Sequence, residues 1–410
     1  MPPAASKRRL TPGSRLLRVP EFRALAVAGL LSATGDQLAR VALSVLVYAR
    51  TSSPLLTGLT YALTFLPAVI GGPLLSGLAD RRPRRQVMVA TDITRALLVA
   101  AMAVRGLSLP ALLSLLVVVN VLEAPFDAAR AALMPDVSGD LYLAALVVDR
   151  TVQQTAQVLG FAGSGVLLLV FSPNTALLAD AASFLVSAVL LQRRVTHRPA
   201  AATATQSVRG RWLPRANQAL GDARLGMSTI WSDRRVRRAV LLTWLASAFA
   251  IVPEGLAAPY ARQLGGGSTL VALLLAANPV GNVLSGLPAA RWSQRSPDRL
   301  LAPLAYLVVL PLALCAPDPP APVVLGLVAV SGTGMTVSLL ARTIFVAHVP
   351  EHVRGRAFGV AGTGIIVGQG LAVAFAGGAA SLLAPSTVVG WSGLIGATAT
   401  LLLLTATRPR

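Results

Sequence analysis

The chain has 410 residues, of which 54% are hydrophobic and only 13% charged, and its mean hydropathy is +0.68. Soluble domains carry roughly a quarter charged residues, so a water-soluble fold is excluded. Lys and Arg number 36 against 16 Asp and Glu, a formal charge of +20 that on a soluble protein would suggest a nucleic-acid partner.

A bilayer core about 30 Å thick needs roughly 20 apolar residues in a helix. Twelve such runs occur, near 21–48, 55–78, 86–104, 109–133, 142–170, 174–191, 239–262, 268–289, 299–315, 322–345, 357–383 and 387–406. They are continuous, whereas barrel strands alternate over about ten residues. The expected class is therefore an all-α membrane protein with 12 transmembrane helices in two six-helix halves. The polar stretch 192–238 separates the halves, giving a tail at 1–20, halves at 21–191 and 239–406, a basic linker between them and a tail at 407–410. Within the linker, Asn217 to Arg238 predicts an amphipathic basic helix on the inner membrane surface.

With the N-terminus inside, 27 of the 36 cationic residues fall in inner segments and only Arg50, Arg105 and Arg262 in outer ones. Cationic loops mark the cytoplasmic side. The charge is thus read as orientation in a bacterial inner membrane with both termini cytoplasmic, and lipid replaces nucleic acid as the expected partner.

Polar residues inside the runs are costly in lipid and point to function. In the first run, Asp36 and Arg40 stand at i, i+4 and can pair, either as a structural ion pair or as a cavity-facing proton or substrate site. Asp92 and Arg95 in the third run read as a structural pair. The fourth carries Asn120, Glu123, Asp127 and Arg130 as one stripe, continued in the fifth by Asp149, Gln153 and Gln157. Asp127 with Arg130 and Asp149 with Arg150 read as gate or structural pairs, while Glu123 lies deeper and is a candidate for protonation. Asp180 reads as a packing hydrogen bonder. In the seventh run Glu254 follows Pro253 and has no basic residue at i±3 or i±4. It is either a proton carrier or a group satisfied by backbone that Pro253 frees. Asn278, Asn282, Thr336 and Gln369 give the second half an uncharged polar lining. Glycines 362, 364, 368 and 370 suit close helix approach.

The halves echo each other. Leu75-Ser76-Gly77-Leu78 recurs as Leu284-Ser285-Gly286-Leu287, and Phe161-Ala162-Gly163 as Phe375-Ala376-Gly377. The two offsets agree within a few residues, as a duplication would produce.

Ser76-Gly77-Leu78-Ala79-Asp80-Arg81-Arg82-Pro83-Arg84-Arg85 resembles the loop motif G-x-L-A-D-R-x-G-R-R of the major facilitator superfamily, with Ser76 and Pro83 where Gly is usual. Gly160-Phe161-Ala162-Gly163-Ser164-Gly165 is similar to the G-P-x-x-G-G signature of its exporters, with Phe161 and Ser164 departing. Gly35-Asp36, Asp92-Ile93-Thr94-Arg95, Asp180-Ala181-Ala182-Ser183-Phe184 and Pro350-Glu351-His352-Val353-Arg354-Gly355-Arg356 add a resemblance to the bacterial branch holding macrolide-efflux and enterobactin-exporter proteins. That resemblance implies alternating access between the halves. It also implies a conformational gate at Gly77, Asp80, Arg81, Arg84 and Arg85. There Asp80 would face the N-terminal end of the eleventh span, and Arg84 or Arg85 would bridge the halves. Gly160, Gly163, Ser164 and Gly165 would form a small-residue exporter face.

One Cys and three His are too few for a disulfide or a Cys/His metal cluster, and no cofactor is expected. The sequence has no G-x-x-x-x-G-K-[ST] loop and no hydrolase-like arrangement, so an ion gradient or the substrate's own gradient, not ATP, would supply energy and the chain is not read as an enzyme. The expected function is proton-coupled efflux of an amphipathic or hydrophobic small molecule by a monomer, with Asp36, Glu254 and Glu123 as proton-coupling candidates. Arg40, Asn120, Gln153, Gln157, Asn278, Asn282, Thr336 and Gln369 are the cavity-lining candidates. The alternatives are a nutrient facilitator or importer of the same fold and a non-transporting receptor or scaffold.

Overall fold

A computed structural model describes residues 15–65, 82–198, 212–292 and 297–407. Every regular element among them is helical: α1 (Pro20–Thr51), α2 (Pro54–Ala62), α3 (Arg84–Met102), α4 (Leu109–Val121), α5 (Glu123–Ser138), a 3₁₀ turn (Gly139–Leu141), α6 (Tyr142–Val170), α7 (Pro173–Arg194), α8 (Trp212–Ser232), α9 (Arg234–Ala250), α10 (Val252–Gly255), α11 (Ala257–Gln263), α12 (Ser268–Trp292), α13 (Pro297–Ala313), α14 (Ala321–Gly334), α15 (Val337–His348), α16 (Glu351–Ala379) and α17 (Pro385–Ala406). Among the described residues, eight helical stretches are long and apolar enough to cross a bilayer, the pattern of a multi-pass membrane protein.

The ends follow local chemistry. Pro occupies the first turn of α1, α2, α4, α7, α14 and α17, where a missing N–H is harmless and the fixed φ suits a helix. Ser52 closes α1 in the left-handed region at φ 50°, and Ser53 Oγ accepts the N–H of Leu56 to cap α2.

Internal prolines break two apolar runs that sequence alone reads as continuous. The run at 109–133 divides at Leu122, one turn before Pro125, and its second piece continues to Ser138. The run at 239–262 becomes α9, α10 and α11 around Pro253, because Pro offers no N–H to the helical ladder.

The linker helix also departs from expectation. It begins at Trp212 and ends at Ser232 because Asp233 accepts the N–H groups of Arg235 (2.7 Å) and Val236 (3.3 Å) and thereby caps α9. Rather than resting on the membrane surface alone, α8 packs against α16 and α9. Gly226 lies against the backbone of Arg356 and the side chain of Val360, and Asp222 pairs with Arg356 at 2.7 Å.

Helix α7 packs on α1 and α3, α6 on α1, α12 on α14, and α13 on α17. Small residues permit these approaches. A Cβ on Gly281 would collide with the Ala329 carbonyl, and one on Gly332 with the Asn278 carbonyl. Large apolar side chains on outer faces, Val166, Val170 and Phe375 among them, stay exposed, as lipid contact allows.

Contacts between the regions before and after the linker gather at one end of the bundle. There α2 packs on α16 and the C-terminal end of α6 on the start of α12. Gly58 meets Gly377 so closely that a Cβ on either would touch the other helix's backbone. Gly165 faces Ala272, and Ser268 Oγ donates to the Leu168 carbonyl at 3.3 Å.

Candidate functional site

Helices α1, α3 and α7 enclose a charge cluster. The Arg95 guanidinium donates from Nη2 to Asp36 Oδ1 at 2.9 Å and lies 4.3 Å from the centre of the Phe184 ring, a stacked cation–π geometry. Asp92, one turn before Arg95, accepts the Ser187 hydroxyl at 2.6 Å. Asp180 accepts the Ser183 hydroxyl at 3.3 Å. Gly35 makes this possible: a Cβ there would collide with Asp180 Oδ1 and Ser183 Oγ.

Two expected pairs are thereby corrected. Asp36 bonds Arg95 and not Arg40, and Asp92 bonds Ser187 and not Arg95. The cause is tertiary: α3 brings Arg95 to Asp36 of α1, and α7 brings Ser187 to Asp92 of α3.

A cavity of about 30 Å³ opens beside the cluster, lined among others by Asp36, Arg40, Thr64, Asn120, Glu123 and Asp180. It has the volume of about one water. Arg40 projects into this space with its guanidinium 5.5 Å from the Phe65 ring centre. Asn120 turns its amide back to the Leu116 carbonyl at 2.8 Å, which leaves its carbonyl oxygen for the cavity.

On the other side of Arg40 lies the second carboxylate. Tyr61 Oη donates to Glu254 Oε2 at 2.8 Å, and both residues are buried. Along the sequence Glu254 has no partner on its own helix. Its partner comes from α2, a connection between the regions on either side of the linker. Arg40 exerts its charge on Asp36, Tyr61 and Glu254 alike, so it stands electrostatically between the two carboxylate sites.

The remaining sequence candidates fall into separate groups. Arg130 pairs with Asp149 across α5 and α6, in place of the local Asp127–Arg130 and Asp149–Arg150 pairs. Gln153 and Gln157 are half-buried on α6, and Gln369 is half-buried on α16. Thr336 donates to Ser285 Oγ at 2.9 Å, tying α12 to the α14–α15 junction. Asn278 is buried on α12 against α14, and Asn282 is half-buried one turn on. Of these polar residues Thr336 ties two helices together, while Asn278 Nδ2 is buried without a hydrogen-bond partner.

In the exporter-like motif, a Cβ on Gly160 would collide with Gln37 and the Thr34 carbonyl of α1, and Gly165 meets α12. Ser164 bonds the Phe161 carbonyl at 2.6 Å, whereas Gly163 has room around it. On α16, Gly364 accommodates the Trp244 ring, while Gly362 faces open space.

Gly77, Asp80 and Arg81 lie outside the described residues. Arg84 bonds Asp136 at 2.5 Å, and Arg85 bonds the Val195 carbonyl at 3.2 Å. Both bonds fall within the N-terminal region, to the ends of α5 and α7.

Sequence reasoning missed Tyr61 altogether and underrated Asp92, Arg95 and Asp180. One signal was available: Asp180, Ser183, Phe184 and Ser187 recur at helical spacing, a polar stripe that lipid could not solvate.

The sequence matches the Major Facilitator Superfamily over residues 25–253 and 254–410. The chain belongs to that superfamily. It is thus a multi-pass membrane transporter, with a small-molecule substrate as the fold implies. No curated protein sequence matches it. Among solved structures it is similar to the nucleoside transporter NupG, with a TM-score of 0.69 at 15% identity over 94% of this chain and 98% of that one. It is also similar to the peptide transporter POT in complex with sulfate, with a TM-score of 0.72 at 13% identity over 97% and 98%. A third is a bacterial homolog of the human lysosomal transporter Spinster, inward-facing and unoccupied, with a TM-score of 0.68 at 15% identity over 98% and 96%. At such identities the likeness is one of fold.

Proposed function

We propose that this superfamily member is a proton-coupled exporter of an amphipathic or hydrophobic small molecule. It would act as a monomer of twelve spans, six on each side of the linker, in a bacterial inner membrane with both termini cytoplasmic. The observation behind this reading is the buried Tyr61–Glu254 hydrogen bond. It joins the two six-helix sets through the one acidic residue in the apolar runs of the second, roughly 5 Å along α2 from the point where Gly58 meets Gly377, given 1.5 Å of rise per residue.

An ionised Glu254 accepts a charge-assisted bond from Tyr61, which favours closure of that end. Cargo entering from the opposite, cation-rich end displaces the bond and lets the halves rock. Glu254, then facing outward, takes a proton and releases it to the cytoplasm on return. Asp36 and Glu123 line the N-terminal wall of the cargo path with Arg40, Asn120, Gln153 and Gln157. Asn278, Asn282, Thr336 and Gln369 belong to the opposite wall. The exporter-like run at 160–165, seated against α1 and α12, supports the outward direction.

In proteoliposomes loaded with ethidium or Hoechst dyes, an imposed pH gradient drives dye movement in the wild type. In Glu254→Gln, dye movement becomes independent of the gradient. Gradient-driven movement that persists in Glu254→Gln removes that carboxylate from the mechanism. The likeness to nucleoside and peptide transporters favours a second reading, uptake of a polar nutrient. Gene deletion separates the two: heightened drug sensitivity belongs to export, and loss of growth on one nutrient to uptake.

A further inference from the structure

Three aspartates and Glu123 act on Arg95, and one guanidinium balances only one carboxylate. Asp36 takes the ion pair. Asp92 and Asp180 remain in the same interior at 0% and 1% exposure, and each receives a serine hydroxyl. Asp92 Oδ1 and Arg95 Nε are buried with no hydrogen-bond partner. Charges of this kind are costly without a counter-ion at membrane depth.

The neighbouring charges do not close the gap. From α1, Arg40 lines the same cavity and acts on Asp36, but it lies over Phe65, shares its charge with Glu254 and forms no ion pair among the described residues. From α5, Arg130 is engaged by Asp149, while Glu123 and Asp127 add further negative charge. The cluster therefore has a standing need for positive charge that its own side chains do not supply. Of the two surplus carboxylates, Asp180 lines the cavity with Asp36 and Glu123, and Asp92 does not.

We propose that Asp180 is a proton-binding site separate from Glu254, filled and emptied through this cavity. A hydronium ion delivered by the cavity water gives its proton to a carboxylate oxygen of Asp180 and leaves as water; the reverse step returns the proton to water. Gly35 keeps α1 close enough for Asp180 to share the field of Asp36 and Arg95. The transporter then binds protons at two places, one on each side of the linker. The inference rests on the proton-coupled reading above, but it is tested without any cargo.

The experiment is infrared difference spectroscopy of the full chain in phosphatidylcholine vesicles, recorded between paired pH values. In the wild type, the carboxylic-acid carbonyl region shows two titrating groups. Asp180→Asn removes one, Glu254→Gln removes the other, and Asp92→Asn removes neither. Where Asp180→Asn does not fold, Asp180→Glu serves instead, restoring a titrating band at a shifted frequency. A spectrum of Asp180→Asn that superimposes on the wild type, or an Asp180→Glu band at the wild-type frequency, overturns the second site. The Glu254 band is judged separately: its presence with no Asp180 band leaves the coupling reading standing, and its absence in the wild type removes that reading as well.

Discussion

The region before the linker and the region after it share a fold plan but divide its chemistry unequally. Within its apolar runs, their ends aside, the first carries Asp36, Asp92, Glu123, Asp127, Asp149 and Asp180 with Arg40, Arg95, Arg130 and Arg150. The second carries Glu254 as its one carboxylate and Arg342 as its cation, among uncharged Asn, Thr and Gln. The first region also ties its charges together across five helices, at Asp36–Arg95, Asp92–Ser187 and Arg130–Asp149. The second is instead broken at Pro253 next to its single carboxylate. The contrast teaches that the first region is the charged, cross-braced body, while the second presents a bent helix whose acid reaches across to Tyr61.

The largest expected effect tests the bracing. Arg95→Met leaves Asp36 uncompensated beside Asp92 and Asp180, and breaking a buried pair costs about 3–5 kcal/mol. Thermal unfolding in detergent should show a transition far below that of the wild type. A cost no greater than that of a surface pair would mean the cluster is already neutral by protonation, and the two regions would be less unlike than they look.

A smaller effect is expected at the contact between regions. Tyr61→Phe leaves Glu254 buried without its donor, at about 1–3 kcal/mol. The loss should fall on the closed state, so cysteine labelling at the outer ends of α2 and α16 should rise more than global stability drops. Equal change in both readouts would make Tyr61 an ordinary packing residue and remove the special role of the second region's acid.

The smallest effect is at the loop after the second run. Arg84 and Asp136 are partly exposed, and exposed pairs contribute about 0.2–1 kcal/mol. Arg84→Ala should therefore shift the unfolding temperature little. A large loss of transport with normal stability would instead show that this loop acts on the second region in another state of the cycle.

What could be read along the chain is what depends on neighbouring residues. Continuous apolar runs dictate membrane helices, because lipid offers no hydrogen bonds to any other backbone. Gly364 and the small residues Gly160 and Gly165 also marked places where helices come close.

The sequence by itself determined the helical membrane class, the gathering of cations between the apolar runs and the identity of the few carboxylates in apolar surroundings, since each is a local property of composition. Only the tertiary structure decided their partners. Asp36 could reach Arg40 on its own helix but bonds Arg95, Arg84 turns to Asp136, and Glu254 finds Tyr61 almost two hundred residues away. The physical reason is that a helix fixes which residues share a face, while the packing of one helix on another fixes what that face meets. In an interior without water, the nearest good partner then takes each charge.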